Sequence, residues 1–409
     1  MKQILKADNI QHVHSDIRGP VYEESLRLRA QGIDVLRLNT GNPGVFGFSL
    51  PDSVREAVIK GMDSAAPYCE VNGMIEARRA IADYHNKKKF FPDVTPEDIY
   101  IGNGVSELVQ MSMLALLNYG DEILIPQPDY PIWSNMIHAS GGHPVYYTCD
   151  EQAGWMPDVA DIRAKITPRT KAILIINPNN PTGALYPDSL LLEIIAIARE
   201  HGLIIYADEV YDKVLYDGAT HTAIGSLSED VLTVSFNGLS KNYRSCGYRA
   251  GWMFVSGDRS RAHDYIEGLD MLASMRLCAN VPGQYGIQTA LGGYQSIDDL
   301  VAPGGRLYQQ RDLAYELITA IPGVSCVKPK ATLYMFPRLD PKMYPIKDDQ
   351  AFIADLLREE RVLLVQGTGF NWSKPDHFRL VFLPHEGDLR DALARIGRFL
   401  DSYRKKHGN

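Results

Sequence analysis

The chain has 409 residues, 45% of them hydrophobic and 22% charged, the make-up of an ordinary globular enzyme with room for two domains. Its 42 basic residues are outnumbered by 50 acidic ones, a net charge of -8 with no long basic run, which argues against nucleic acid as a partner. The greasiest helical stretch, LLLEIIAIARE, is short and interrupted by Glu193, so no membrane partner is expected.

At the N-terminus, MKQILKADNIQHVHSDIRGP lacks the apolar core and cleavage site of a signal peptide. Two histidine groupings stand out, His12 with His14 and His138 with His143. Neither has carboxylate or cysteine company at ligand spacing, so both read as loop or surface histidines and no metal is expected. The five cysteines, Cys69, Cys149, Cys246, Cys278 and Cys326, are scattered and form no CxxC, the pattern of reduced thiols in a cytoplasmic protein.

From Ile99 onward the chain alternates short apolar runs with helix-like stretches. IYIGNG reads as a strand and leads into the amphipathic helix VSELVQMSMLALLNYG, closed by Gly120. DEILIP is a strand, KAILIINPNNPTG a strand ending in a turn-rich loop, and LLEIIAIAREHG a helix. LIIYADEVYD, DVLTVSFNGLSK and YRAGWMFVS complete six strand candidates by about residue 256. One further crossing makes this a seven-stranded, mostly parallel sheet of an α/β fold. After about residue 290 the pattern changes: YQQRDLAYELITAI and GDLRDALARIGRFLDSYRKK are helical, and VSCVKPKATLYMFPRL, VLLVQG and FRLVFLP are strand-like, as in a smaller α+β domain. The expected division is an N-terminal segment (1–45) that joins the small domain or covers the active site, a large domain (46–295) and a small C-terminal domain (296–409). No flexible linker separates them, so they should pack around a shared cleft.

In open α/β sheets ligands bind beyond the carboxyl ends of the strands. Asn180, Asp208, Tyr211 and Lys241 all follow apolar strands there. An amide, an acid, a phenol and a lysine at adjoining strand ends suit a pyridine cofactor that carries a carbonyl. A bland reading stands beside each: a turn residue for Asn180, a helix N-cap for Asp208, a solvated surface amine for Lys241. No G-x-G-x-x-G follows a strand, which disfavours a nicotinamide enzyme. A regulator on the same core would need an added DNA-binding domain, and a core that begins near residue 15 leaves no room for one.

These motifs resemble those of the class I/II aminotransferases of pyridoxal-phosphate fold type I. NPNNPTG is similar to the family's cofactor loop, ADEVYD to its Asp-x-x-Tyr element, and LSKNYRSCGYRAGW to its Schiff-base lysine motif. GNP at Gly41 and FRLVF at Arg379 are similar to the first and last substrate contacts. The motifs run in the family's order from about residue 15 to 395, and several connecting segments look closest to bacterial alanine (glutamate–pyruvate) aminotransferases.

The resemblance implies pyridoxal 5'-phosphate as cofactor and assigns roles. Lys241 carries the cofactor and then acts as base, with its pKa expected to be lowered by desolvation and cationic neighbours. Asp208 keeps the pyridine nitrogen protonated. Tyr211 and Asn180 bond the phenolic oxygen. Gly104, Val105 and Ser106 at a helix start, with Ser240 and Arg249, hold the phosphate. Tyr130 stacks on the ring, with core packing as its rival reading. Tyr68 reaches the partner subunit's phosphate, which makes the enzyme a homodimer with active sites at the subunit interface. Arg379, backed by Gly41 and Asn180, clamps the substrate α-carboxylate. Arg18 is the candidate for a second, side-chain carboxylate; a surface arginine is the alternative.

Three departures from the family pattern stand out. Gly238 replaces a common serine, Ala331 a common glycine, and Ser245 with Cys246 make a more polar lysine loop. The reaction implied is L-alanine plus 2-oxoglutarate to pyruvate plus L-glutamate, by a ping-pong mechanism on small amino and 2-oxo acids. Its alternatives are an aspartate, valine–pyruvate or aromatic aminotransferase, or a carbon–sulfur β-lyase.

Overall fold

The structure is a computed structural model that describes residues 3–88, 91 and 94–407; the few remaining residues, at the chain ends and between Lys88 and Val94, lie outside it. The central sheet comprises β1 (Ile99–Asn103), β2 (Glu122–Gln127), β3 (His143–Asp150), β4 (Met156–Pro157), β5 (Thr170–Ile176), β6 (Ile204–Asp208), β7 (Thr233–Gly238) and β8 (Ala250–Ser256). Their order is β1-β8-β7-β6-β5-β2-β3-β4. β3, β2, β5, β6 and β7 pair in parallel, whereas β8 runs against both β7 and β1, and β4 against β3.

All six strand candidates are present. The further crossing is β3, HPVYYTCD, whose burial alternates with exposed polar positions near the sheet edge. It has no apolar run, so the pattern that revealed the others misses it. The two-residue β4 extends the expected seven strands to eight.

The inner strands are apolar throughout because both faces are covered. Along β5, Ile173 and Ile175 face a cluster built with Leu191, Ile194 and Ile195 of one helix. Ala172, Leu174 and Ile176 face the opposite cluster, with Leu108, Val109 and Met113. The period-two alternation thus chooses which helical layer a side chain meets, and both choices are dry. The helices that matter for the site are α1 (Val105–Leu116), which follows β1, and α2 (Ile132–Ala139), which follows β2.

A separate apolar cluster gathers Leu313, Phe352, Leu356, Leu393, Ile396 and Phe399 from three C-terminal helices together with Val21, Leu28 and Leu38 from near the N-terminus. Leu36–Arg37 also pairs in parallel with Val362–Leu363. Tyr334–Met335 and Val365–Gln366 flank Phe378–Val381 in a three-stranded antiparallel sheet. Tyr211, Val214 and Tyr216, from the connection after β6, belong to this cluster, so the two parts of the molecule share a wall at the end of β6. Among the described residues, no helix is long and apolar enough to cross a membrane.

β8 lies so close to the start of α1 that a Cβ on Gly251 would sit 2.6 Å from the Val105 nitrogen and 2.9 Å from the Gly104 carbonyl carbon. Both are backbone atoms and cannot swing aside. Gly251→Ala should therefore cost about 1–3 kcal/mol of stability in urea denaturation. Gly247→Ala, where an added Cβ meets nothing within 4 Å, should stay within about 0.5 kcal/mol of the parent.

Candidate active site

Because β2, β5, β6 and β7 run in parallel, the segments that leave them emerge at one edge of the sheet. A cavity of about 560 Å³ opens there. Its lining brings together eleven of the predicted site residues: Arg18, Gly41, Val105, Ser106, Tyr130, Asn180, Asp208, Tyr211, Ser240, Lys241 and Arg249.

Asp208 is the last residue of β6 and only 4% exposed. Its Oδ2 accepts the Trp133 indole N–H at 2.9 Å, and Oδ1 receives a longer bond of 3.4 Å from the Val210 amide. Burial raises its pKa, opposed by the Trp133 and Val210 bonds and the Lys241 charge. Tyr211 shares a 2.7 Å hydroxyl–hydroxyl bond with Tyr334, and burial pushes its phenol well above the ordinary range.

Lys241 is half-buried, and its Nζ donates to the Gly41 carbonyl at 2.7 Å. The expected lowering of its pKa is not met. Burial does lower it, but Tyr334, Cys246 and Tyr130 outweigh that and the amine is held above its usual value. The positive neighbour in question, Arg379, exerts a smaller influence than those three.

The loop after Lys241 is braced from within. Ser245 Oγ donates to the Leu239 carbonyl at 2.9 Å, and Cys246 Sγ donates to the Ser240 carbonyl at 3.1 Å. These two bonds give the polar filling of the loop a reason: they close it around Lys241. Gly238 is also explained. A Cβ there would lie 3.0 Å from both the Ala250 oxygen and the Gly251 Cα, so β7 and β8 approach too closely for a comfortable side chain. Nothing in the structure explains why Ala331 stands where glycine is common.

At the other end of the cavity, α1 starts at its N-cap Gly104 with φ 81°, and Val105 and Ser106 present the helix N-terminus. Arg249 adopts φ 51°, a left-handed conformation that costs a non-glycine residue energy and marks a position held by its surroundings. Its guanidinium bonds the Cys246 carbonyl at 2.8 Å and the Asn103 carbonyl at 3.2 Å. Gly104 does not line the cavity; it lies beneath Arg249, where a Cβ would overlap the guanidinium.

Two predicted residues stand apart. Tyr68 is 78% exposed and outside the cavity. Arg379 is buried one layer behind the wall, donating to Asn180 Oδ1 at 3.0 Å and the Asn39 carbonyl at 2.5 Å, with Nε unpartnered among the described residues. Its guanidinium lies over the Tyr334 ring at 4.3 Å, and burial lowers its pKa.

The sequence reading missed Tyr334 and Trp133. Tyr334 lines the cavity from the strand beside that of Arg379, a pairing that the sequence does not display. Trp133 lies three residues after Tyr130, so one turn of chain presents both, a spacing that could have flagged it.

The match to the family model described as aminotransferase class I and II covers residues 33–396. The chain is 57% identical to the glutamate-pyruvate aminotransferase AlaA of Escherichia coli (strain K12) over 98% of its own length and 99% of that protein's. It is 52% identical to an alanine aminotransferase of Mycobacterium tuberculosis (strain H37Rv) over 99% and 94% of the two chains. A crystal structure of an aminotransferase from Escherichia coli superposes with a TM-score of 0.97 at 56% identity, covering 98% of this chain and all of that one. The chain belongs to the class I and II aminotransferases.

Pyridoxal phosphate is the cofactor of this aminotransferase, and the residues present fit it. A buried carboxylate needs a cationic or N–H partner to stay ionised, and Asp208 lines the cavity with its Oδ1 held by a long 3.4 Å contact. A helix N-terminus beside an arginine suits a dianion. The bare Cα of Gly104 leaves the room that the Arg249 guanidinium occupies beside that helix start.

Asp129, just before Tyr130, is fully buried; Asn371 donates to its Oδ1 at 2.7 Å and its Oδ2 has no partner among the described residues. Burial pushes this carboxyl from 3.8 up to about 7. A folded-state pKa above the unfolded one means that folding favours the neutral acid. Its contribution to stability is full below pH 3.8 and lost as pH rises through about 7. Asp129→Asn mimics the neutral form. In urea denaturation of the aminotransferase it should gain on the parent as pH rises from about 4 to 8 and match it at the acid end; parallel pH profiles would contradict this assignment.

Proposed function

We propose that this aminotransferase moves an amino group between L-alanine and 2-oxoglutarate, yielding pyruvate and L-glutamate in two half-reactions that share one cavity. The observation that carries this reading is Lys241 and Asp208 in one cavity, in a chain whose relatives over nearly its whole length are named for alanine and glutamate–pyruvate transfer. When bound, pyridoxal phosphate supplies the carbonyl that accepts the amino group and a ring that delocalises the electron pair released at the substrate α-carbon.

The side chains divide the remaining work. Lys241 Nζ, swung off the Gly41 carbonyl, carries the cofactor and removes and returns the proton at the α-carbon. Asp208 holds the proton on the ring nitrogen. Tyr211 and Asn180 donate to the phenolic oxygen, and Tyr130 forms the aromatic wall. The α1 N-terminus from Gly104 to Ser106, with Ser240 and Arg249, binds phosphate. Arg379, Asn180 and Gly41 take the α-carboxylate, with Asn180 handing on the arginine's orientation through their 3.0 Å bond. Arg18 is exposed at the cavity mouth, in a segment pinned by reciprocal bonds between Asn135 and the His14 backbone (2.9 and 2.6 Å), and meets the distal carboxylate of glutamate.

The working form is a homodimer in the cytoplasm. Tyr68 (78% exposed), Val71 (37%), Met275 (80%) and Leu277 (50%) form an apolar surface, its two segments joined by the Arg276 to Val71 bond. Such a surface is costly to leave in water, which supports a second subunit covering it and meeting Tyr68. Sedimentation at micromolar concentration should give a dimer mass; a monomer would exclude the shared site.

A panel of amino donors against pyruvate and 2-oxoglutarate tests the specificity. Alanine with 2-oxoglutarate should be the preferred pair, and pyruvate formed from cystathionine without an oxo acid would point to a lyase instead. Lys241→Ala should lose at least about 1,000-fold in kcat, and borohydride should fix the cofactor on the Lys241 peptide of the parent. Arg18→Ala should raise KM for glutamate and 2-oxoglutarate by about 10-fold or more while alanine changes little. Equal losses for alanine and glutamate would remove Arg18 from the substrate site.

A further inference from the structure

Trp133 is completely buried in the first turn of α2, packed against β6 and against β7, the strand that leads to Lys241. Its indole ring is wedged edge-on against Phe236, with centroids 5.1 Å apart at 87°, and tilted against Tyr206 at 5.9 Å. The Trp133 amide donates to the Tyr130 carbonyl at 3.2 Å. One short turn therefore supplies both the aromatic wall of the cavity and the 2.9 Å donor to Asp208 Oδ2.

An indole N–H only donates. Its bond to Asp208 Oδ2 is strongest when that carboxylate is ionised, so it opposes a proton there. An imidazole in its place could donate or accept, and a hydroxyl could do both. The packing against Phe236 and Tyr206 fixes the direction of the N–H and so the plane of the carboxylate. With Oδ2 held, Oδ1 is the oxygen left to face the cavity.

We propose that Trp133 is a positioning residue of this aminotransferase, orienting the Asp208 carboxylate and keeping it anionic so that Oδ1 can hold the protonated ring nitrogen of the cofactor. It touches neither substrate nor cofactor and acts only through Asp208. This rests on the assignment of Asp208 given under the proposed function. A bond to a buried carboxylate is among those whose loss is felt most, because the acceptor left behind stays desolvated.

The test is a double-mutant cycle on cofactor affinity, measured by titrating cofactor-free protein with pyridoxal phosphate and following fluorescence. Trp133→Phe keeps the aromatic packing and removes the donor; it should weaken cofactor binding by about 10-fold. Asp208→Asn should weaken it further, and adding Trp133→Phe to Asp208→Asn should cost no more than about 2-fold, because the tryptophan acts only through the acid. Trp133→His, which retains an N–H, should recover part of the loss; Trp133→Leu, which also removes the donor, stands in for Trp133→Phe if the latter does not fold. The visible band of the loaded parent should also titrate at a different pH in Trp133→Phe. Strictly additive losses in the cycle, or an unshifted titration, would reduce Trp133 to core packing. Failure of the parent protein to bind pyridoxal phosphate would sink the assignment of the site itself, a distinct result.

Discussion

The parallel pairing of β5, β6 and β7 is the constraint on which the rest depends. Hydrogen-bonded neighbours in register must end together, so the residues that follow Ile176, Asp208 and Gly238 are delivered to one edge of the sheet. Both faces of these strands are buried, which leaves their ends as the place where polar side chains can gather without disturbing the core. Asp208 is the extreme case. It is still part of its strand, so its carboxylate is desolvated by the fold itself, and the Trp133 donor and the cavity must supply what water would have given.

Close approach is the second constraint. Gly251, Gly104 and Gly41 each occupy a place where a Cβ would overlap another part of the site: the Val105 backbone, the Arg249 guanidinium and the Tyr334 hydroxyl. These glycines let β8, α1 and the N-terminal segment converge on one small volume. The left-handed Arg249 belongs to the same economy of space, since its backbone turns sharply enough to aim the guanidinium back across the helix start. The bracing bonds of Ser245 and Cys246 hold the intervening loop shut, so Lys241 and Arg249 keep their spacing.

The two parts of the molecule are joined at the site itself. Tyr211 comes from the connection after β6 and Tyr334 from the small antiparallel sheet, and they meet hydroxyl to hydroxyl. Arg379, on the strand beside Tyr334, reaches Asn180 at the end of β5. A displacement of the C-terminal part would therefore move Arg379 and Tyr334 as one unit.

Much of this was legible in the chain alone. Uninterrupted apolar runs followed by polar, turn-forming residues marked six strands, and the residues after them supplied the acid, phenol, amide and lysine of the site; both follow from local order along the sequence. β3 was hidden because an edge-proximal strand alternates polar and apolar residues. Trp133 and Tyr334 were hidden because each becomes a site residue only through a partner far away in sequence, Asp208 for one and Tyr211 for the other. Whether Arg379 stands at the cavity wall or behind Asn180, and whether Lys241 is pushed up or down in pKa, was likewise decided by packing, since both depend on which groups from distant segments share a desolvated volume. The sequence by itself determined which chemical groups are available and at which strand ends; only the tertiary structure decided how they are aimed, because aim is set by contacts across the sheet and between its two flanking layers.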